Sequence, residues 1–248
     1  PWEGDDPLRD GRAGETLAPS AEPFGPGWHV PRAMDRGEME RVRDAFAASA
    51  RRAHRAGFDV LELHMAHGYL LSSFLSPAAN ARADESGGPL ATRMRFPLEV
   101  FDAVRAGGPR AKPLFVRVSA TDWLDEGGTT IEETIALARE LQARGCDVID
   151  VSSAGNTPRS KPVYGRVYQV PFAERIKAEV GIRVMAGGAN QGADHANTVL
   201  AAGRADLCAL ARPHLVNPYV TLGAAARYGQ ADFAWPVQYL PARPRLDD

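Results

Sequence analysis

Residues 56–77 read "AGFDVLELHMAHGYLLSSFLSP". Within them "FDVLELH" (58–64) is a short apolar run after Gly57 that ends in a polar turn, which is the pattern of a strand. Four more strand candidates follow: "PLFVRVS" (113–119), "CDVIDVSS" (146–153), "IRVMAGG" (182–188) and "ADLCALAR" (205–212). Helical patterns lie between them. Residues 92–106 carry Leu98, Phe101 and Val104 on one side, and residues 131–144 follow a Thr130/Glu133 capping box and stop at Gly145. Residues 171–180 and 192–202 give two further helices. Upstream, Asp35 with Glu38 predicts a capped helix whose apolar face is Met39, Val42 and Phe46, ended by Gly57. Strands this continuously apolar, alternating with helices, imply a parallel sheet covered by helices.

The polar residues cluster just after the strands, at His64/His67, Ser119–Asp122, Ser152–Asn156, Gly187–Asn190 and Arg212. In parallel α/β folds that end of the sheet is where ligands bind. No G-x-G-x-x-G follows the first strand, which argues against an open dinucleotide-binding sheet. The last two units instead carry "AGGAN" (186–190) and "LARPH" (210–214), where (β/α)8 barrels hold phosphate after strands 7 and 8. The expected fold is therefore α/β, a (β/α)8 TIM barrel of which the chain covers roughly strands 4–8, with the first three strands absent. Residues 1–34, dense in Pro, Gly and charge, read as an extended loop or arm after a missing N-terminal part. Residues 35–248 form the barrel portion. The first residue is proline rather than methionine, which also suggests a processed or incomplete chain.

A formal net charge of −2 provides no general attraction for nucleic acid or an anionic membrane. No apolar run is long enough to span a bilayer and no signal-peptide pattern opens the chain, so the expected location is the cytoplasm. Cys146 and Cys208 sit in apolar runs and read as small core residues rather than a disulfide framework.

His64 closes a strand and His67 follows in the turn. Two local imidazoles are too few for a metal site, and spacing places no third ligand. Neutral imidazoles are good N–H donors to one developing oxyanion, such as an enolate or phenolate. The plainer alternative is one satisfied core histidine and one surface histidine. Arg117 inside "LFVRVS" needs a partner, either an anionic ligand at the mouth of the sheet or an internal ion pair with Glu62 or Asp150. "AGGAN" and Arg212 suit a phosphate, although taken alone an ordinary strand-to-helix turn is the better explanation.

Together these stretches resemble the Old Yellow Enzyme family of FMN-dependent NADH:flavin oxidoreductases. The likeness rests on "LELHMAHGYLLSSFLSPAANARADESGG" (61–88), "PLFVRVSATDW" (113–123), "DVIDVSSAG" (147–155), "GRADLCALARPHLVNP" (203–218) and "WPVQY" (235–239), in family order. "KPVYGRVYQVPFAERI" (161–176) is most similar to the reductase-like domain of anthraniloyl-CoA monooxygenases and salicylyl-CoA hydroxylases. The resemblance implies that His64 and His67 hydrogen-bond a carbonyl or phenolic oxygen, and that Tyr69 donates a proton to the α-carbon. It places Arg117 at the N1–C2=O edge of FMN, and Gly187, Gly188, Ala211 and Arg212 at its phosphate. NAD(P)H would be the reductant. The substrate would be a small molecule with an activated C=C, with a CoA thioester among the candidates, and a homo-oligomer is among the open assembly states. The departures are Ala211 for a usual glycine, Ser86 for a usual tyrosine, Thr92 for a usual asparagine, and no counterpart of the third-strand "Q-x-x-H-A-G-R". Two other readings stay open: the reductase-like domain of a bifunctional aryl-CoA monooxygenase, and a non-catalytic fragment that binds no flavin.

Overall fold

The computed structural model describes residues 14–230 and 232–243. Its centre is a five-stranded, wholly parallel sheet. In chain order the elements before and at its first strand are β1 (Leu17–Ala18), β2 (Arg32–Ala33), α1 (Arg36–Arg55) and β3 (Leu61–Met65). Then come α2 (Leu70–Leu75), α3 (Leu90–Arg93), α4 (Arg95–Ala106), β4 (Leu114–Ser119), α5 (Ile131–Ala143) and β5 (Val148–Ser152). The chain continues through α6 (Val170–Val180), β6 (Arg183–Ala186), α7 (Ala193–Ala201), β7 (Leu207–Cys208), α8 (Arg212–Val216) and α9 (Val220–Arg227), then a 3-10 turn over Val237–Ala242. The sheet order is β3-β4-β5-β6-β7, each strand beside its successor.

Register divides the strand residues between two faces, because paired residues in a ladder point the same way. One face carries the row Leu63–Val116–Ile149–Val184 and, one step on, Met65–Val118–Val151–Ala186. All eight are buried, with helices α1 and α4 packed together on one flank and α5 and α6 on the other. Phe74, Phe96 and Phe101 complete this core. The opposite face carries the row His64–Arg117–Asp150–Met185–Leu207, with Ser119 paired to Ser152 above it. That row carries the candidate site residues His64 and Arg117.

Helix α1 forms as its sequence predicts. The Asp35 side chain accepts from Glu38 N and the Glu38 carboxylate accepts from Asp35 N, a complete capping box. Only half of the second box forms. Thr130 Oγ1 accepts from Glu133 N, while the Glu133 carboxylate is drawn away to the buried Arg93 guanidinium.

Two local expectations are corrected. The stretch before Asp35 is not purely a loop, since within its described part Leu17 and Ala18 pair in parallel with Arg32 and Ala33. Arg32 bridges Glu15 and Glu38, and Arg82 Nη1 donates to Pro19 O and Met34 O, which ties this short ladder to the body. The helix expected over 92–106 is two helices meeting at Met94. Pro97 has no N–H to offer the Arg93 carbonyl, so the hydrogen-bond ladder is interrupted there. Cys146 is buried and its thiol is pushed up to about 12 by burial, while Cys208 is half-buried; both are free. Among the described residues no helix is long and apolar enough to cross a membrane.

Candidate active site

β3 delivers His64 at its end, and the chain then turns sharply to deliver His67 and Tyr69. The imidazole centroids of His64 and His67 are 5.2 Å apart, and the Tyr69 ring lies 5.3 Å from His64. Tyr69 is the N-cap residue of α2 and is 64% exposed, and its hydroxyl makes no hydrogen bond among the described residues. Among the described residues neither ring nitrogen of His64 meets a hydrogen-bond partner. His67 does. Its Nε2 lies 2.6 Å from Ser152 Oγ, which leaves only Nδ1 for a ligand.

The turn that carries His67 is held unusually tightly. His67 has φ +62°, a left-handed conformation that non-glycine residues rarely adopt. Its N–H donates to Ser119 Oγ at 2.9 Å, and Ser119 Oγ donates in turn to Ala154 O at 2.7 Å. The loops after β3 and β5 touch through glycines. A Cβ on Gly68 would stand 2.0 Å from Gly155 O, and one on Gly155 would stand 2.4 Å from His67 Cα. Behind this contact the fully buried Asp122 accepts from Asn156 Nδ2 (2.7 Å), Ser76 Oγ (2.6 Å) and Thr129 N (2.7 Å). Ser72 Oγ donates to Asn156 Oδ1, so α2 and the loops after β4 and β5 form one hydrogen-bonded block.

Arg117 neighbours His64 on one side of its row and Asp150 on the other. Of the two partners expected from the sequence it is Asp150 that it pairs with, Nε to Oδ2 at 3.1 Å. The N–H is not aligned with that oxygen: Arg117 Nε and Asp150 Oδ1 are both buried without a hydrogen-bond partner. Burial, opposed by Arg117 and reinforced by the neighbouring Glu62, pushes the Asp150 carboxyl up to about 7. Burial, then the charges of Arg117 and His64, lowers His67 to about 4, and burial with Arg117 lowers His64 as well. Both imidazoles are thus kept neutral at pH 7.

Asp150 and His67 oppose each other in the pH dependence of stability. Between its ordinary value, about 3.9, and 7, Asp150 holds a proton that the unfolded chain has lost, so its contribution falls as pH rises. His67 behaves oppositely. From about 6.5 down to 4 the unfolded chain takes up a proton that the fold refuses, so its contribution is lost as pH falls. In urea melts across this range, Asp150→Asn should make stability rise more steeply with pH than in the wild type, and His67→Gln should make it fall more steeply. Parallel pH profiles for wild type and both variants would remove these protonation states from the account.

The remaining sequence candidates lie along the other end of the sheet. Gly187 and Gly188 form the turn after β6 against Gln169; Gly188 has φ +84°, and a Cβ there would stand 2.5 Å from Gln169 Oε1. Asn190 Nδ2 donates to Ala186 O and Ala209 O, which joins this turn to the segment after β7. Ala211 and Arg212, both exposed, open α8, and the Arg212 charge acts on Tyr168 beside Gln169.

A family model for "NADH:flavin oxidoreductase / NADH oxidase" matches residues 13–228. The chain belongs to the NADH:flavin oxidoreductase / NADH oxidase family. Over 216 residues it is 45% identical to an NADPH dehydrogenase of Geobacillus sp. (strain WCH70), which covers 87% of this chain and 62% of that protein. An NADPH dehydrogenase of Clostridium acetobutylicum is 41% identical, covering 87% and 63%. The chain therefore spans somewhat under two thirds of the length of these relatives. Among solved structures it is similar to 2-naphthoyl-CoA reductase in complex with 2-naphthoyl-CoA, at 27% identity and a TM-score of 0.78 over 87% of this chain and 33% of that one. It is also similar to morphinone reductase in complex with tetrahydroNAD, at 27% identity and a TM-score of 0.70 over 91% and 62%.

Within this family member, sequence reasoning located Ser119 and Ser152 as polar strand ends but assigned them no part. It missed Gln169 altogether. The signal for the serines is their register: each lies two residues beyond Arg117 or Asp150 on the same face. Gln169 carries no comparable signal, because it reaches Ser152 from a separate loop.

Proposed function

We propose that the chain supplies strands 4–8 of a (β/α)8 barrel, with β3 to β7 in those places, in an FMN-dependent oxidoreductase that reduces an activated C=C with NAD(P)H. The half-open face carrying Phe115, Arg117 and Met185 supports barrel closure by further strands, because wholly parallel sheets are normally covered on both faces. The residues present fit FMN. Arg117 Nε is a buried donor without an aligned acceptor, suited to an anionic ring edge. The Gly187–Gly188 turn and Arg212 supply the small residues and the cation that a phosphate needs. When bound, FMN supplies the hydride for the β-carbon of the substrate.

The observation that carries the reading is the ring cluster His64, His67 and Tyr69 beside Arg117. Two neutral imidazoles offer N–H groups to one ligand oxygen, and donors placed where charge develops are each worth about 2–4 kcal/mol. Low pKa values keep them from becoming cations that would trap an anionic product. Tyr69 presents its hydroxyl from the neighbouring side for proton donation at the α-carbon. The substrate we infer is an α,β-unsaturated carbonyl compound. The likeness to 2-naphthoyl-CoA reductase adds a second reading, in which the activated ring is that of an aryl-CoA thioester. The relatives reported above are dehydrogenases and reductases, so the monooxygenase reading rests on sequence resemblance alone.

The test is FMN titration of the intact parent protein followed by anaerobic NADPH. The expected result is stoichiometric, non-covalent FMN binding and bleaching of the flavin spectrum by NADPH. A protein that stays colourless after FMN is added would refute the reading.

A further inference from the structure

The His67 ring is held by Ser152, and the direction of that hydrogen bond decides what His67 can offer a ligand. Ser152 Oγ has two partners among the described residues, His67 Nε2 at 2.6 Å and Gln169 Nε2 at 3.2 Å. The Gln169 amide nitrogen is a donor. It also meets Ser153 Oγ at 2.9 Å and the Tyr168 hydroxyl at 3.1 Å. One lone pair of Ser152 is therefore occupied, and among the described residues the acceptor its O–H meets is the His67 ring. Ser152 is buried, and a buried hydroxyl left without an acceptor is destabilising.

We infer that Ser152 donates its proton to His67 Nε2 and so fixes the imidazole as the Nδ1–H tautomer. A neutral imidazole carries a single N–H, and which nitrogen bears it is set by the bond the other makes. The reverse arrangement, Nε2–H donating to Ser152, would strand the serine proton and present a lone pair, not a donor, on Nδ1. That face would repel a ligand oxyanion. Ser152 is thus a positioning residue, with Gln169 orienting it from behind. Ser119, paired with Ser152 across the ladder, holds the backbone of the same histidine. The inference rests on the functional reading only for what Nδ1–H is used for; the tautomer is a property of the chain without any ligand.

The experiment is long-range 1H–15N NMR on the [15N]histidine-labelled chain at neutral pH, without flavin, with the His67 signals assigned by their loss in His67→Gln. The expected wild-type pattern is a protonated Nδ1 and an acceptor-type Nε2. Ser152→Ala should lose this pattern and Ser152→Thr, which keeps the hydroxyl, should restore it. In the FMN-loaded intact protein, Ser152→Ala should weaken binding of a para-substituted phenol about 3–10-fold, the loss of one neutral hydrogen bond. A wild-type His67 protonated at Nε2 would overturn the inference, whether or not the variants fold. So would an Nδ1–H tautomer that survives in Ser152→Ala. Failure to bind FMN would overturn the functional reading and leave the tautomer result standing.

Discussion

Tyr69→Phe is expected to leave reduction of the FMN-loaded enzyme by NADPH near the wild-type rate while slowing its reoxidation by an enone about 10²–10⁴-fold, the usual loss when a general acid is removed. The phenylalanine keeps the aromatic ring in contact with His64, so packing is preserved and only the hydroxyl is lost. Tyr69 is largely exposed and its backbone caps α2, so the change opens no cavity and disturbs no buried hydrogen bond. Stopped-flow traces separate the two half-reactions. Equal slowing of both would make Tyr69 an organiser of the site and assign the proton to another group.

His64→Ala should remove one of the two proposed donors to the ligand oxygen and slow enone reduction by the equivalent of about 2–4 kcal/mol. The ring is half-buried, stands beside the His67 and Tyr69 rings and makes no hydrogen bond among the described residues, so its truncation should cost little stability. FMN content should be unchanged, because the proposed flavin contacts run through Arg117, the Gly187–Gly188 turn and Arg212. A His64→Ala protein that reduces enones at the wild-type rate would return this histidine to a structural part.

Much of the scaffold was legible because its signals are local. The five strands announce themselves as apolar runs, and Asp35 with Glu38 marks the start of α1 within four residues. What escaped depends on contacts distant in the chain. The β1–β2 ladder exists because Arg32 reaches Glu15 and Glu38 and Arg82 reaches back to Pro19 and Met34. The shorter α4 reflects a missing proline N–H, a signal that was present in the sequence and outweighed by apolar periodicity. At the site, the clustering of His64, His67 and Tyr69 was legible because one strand end and the turn that follows carry all three. The partner of Arg117 was narrowed to Glu62 or Asp150 by sequence, and only register selects Asp150, the residue beside it on the neighbouring strand. The Gly68–Gly155 contact and the Ser152–Gln169 support were not legible, since each joins segments that are separate in the chain and whose meeting is a product of the finished sheet.

The central claim is that His64 and His67 together hold an oxygen of the ligand over a bound flavin. Titration of the FMN-loaded intact protein with a para-substituted phenol tests it most directly, read as a long-wavelength charge-transfer band. The account predicts a saturable band in the wild type and, at equal FMN content, an affinity at least tenfold weaker in His64→Ala, equivalent to about 1.4 kcal/mol or more. A wild-type protein that takes up FMN but shows no band, or a His64→Ala protein that binds the phenol as tightly as the wild type, would contradict it.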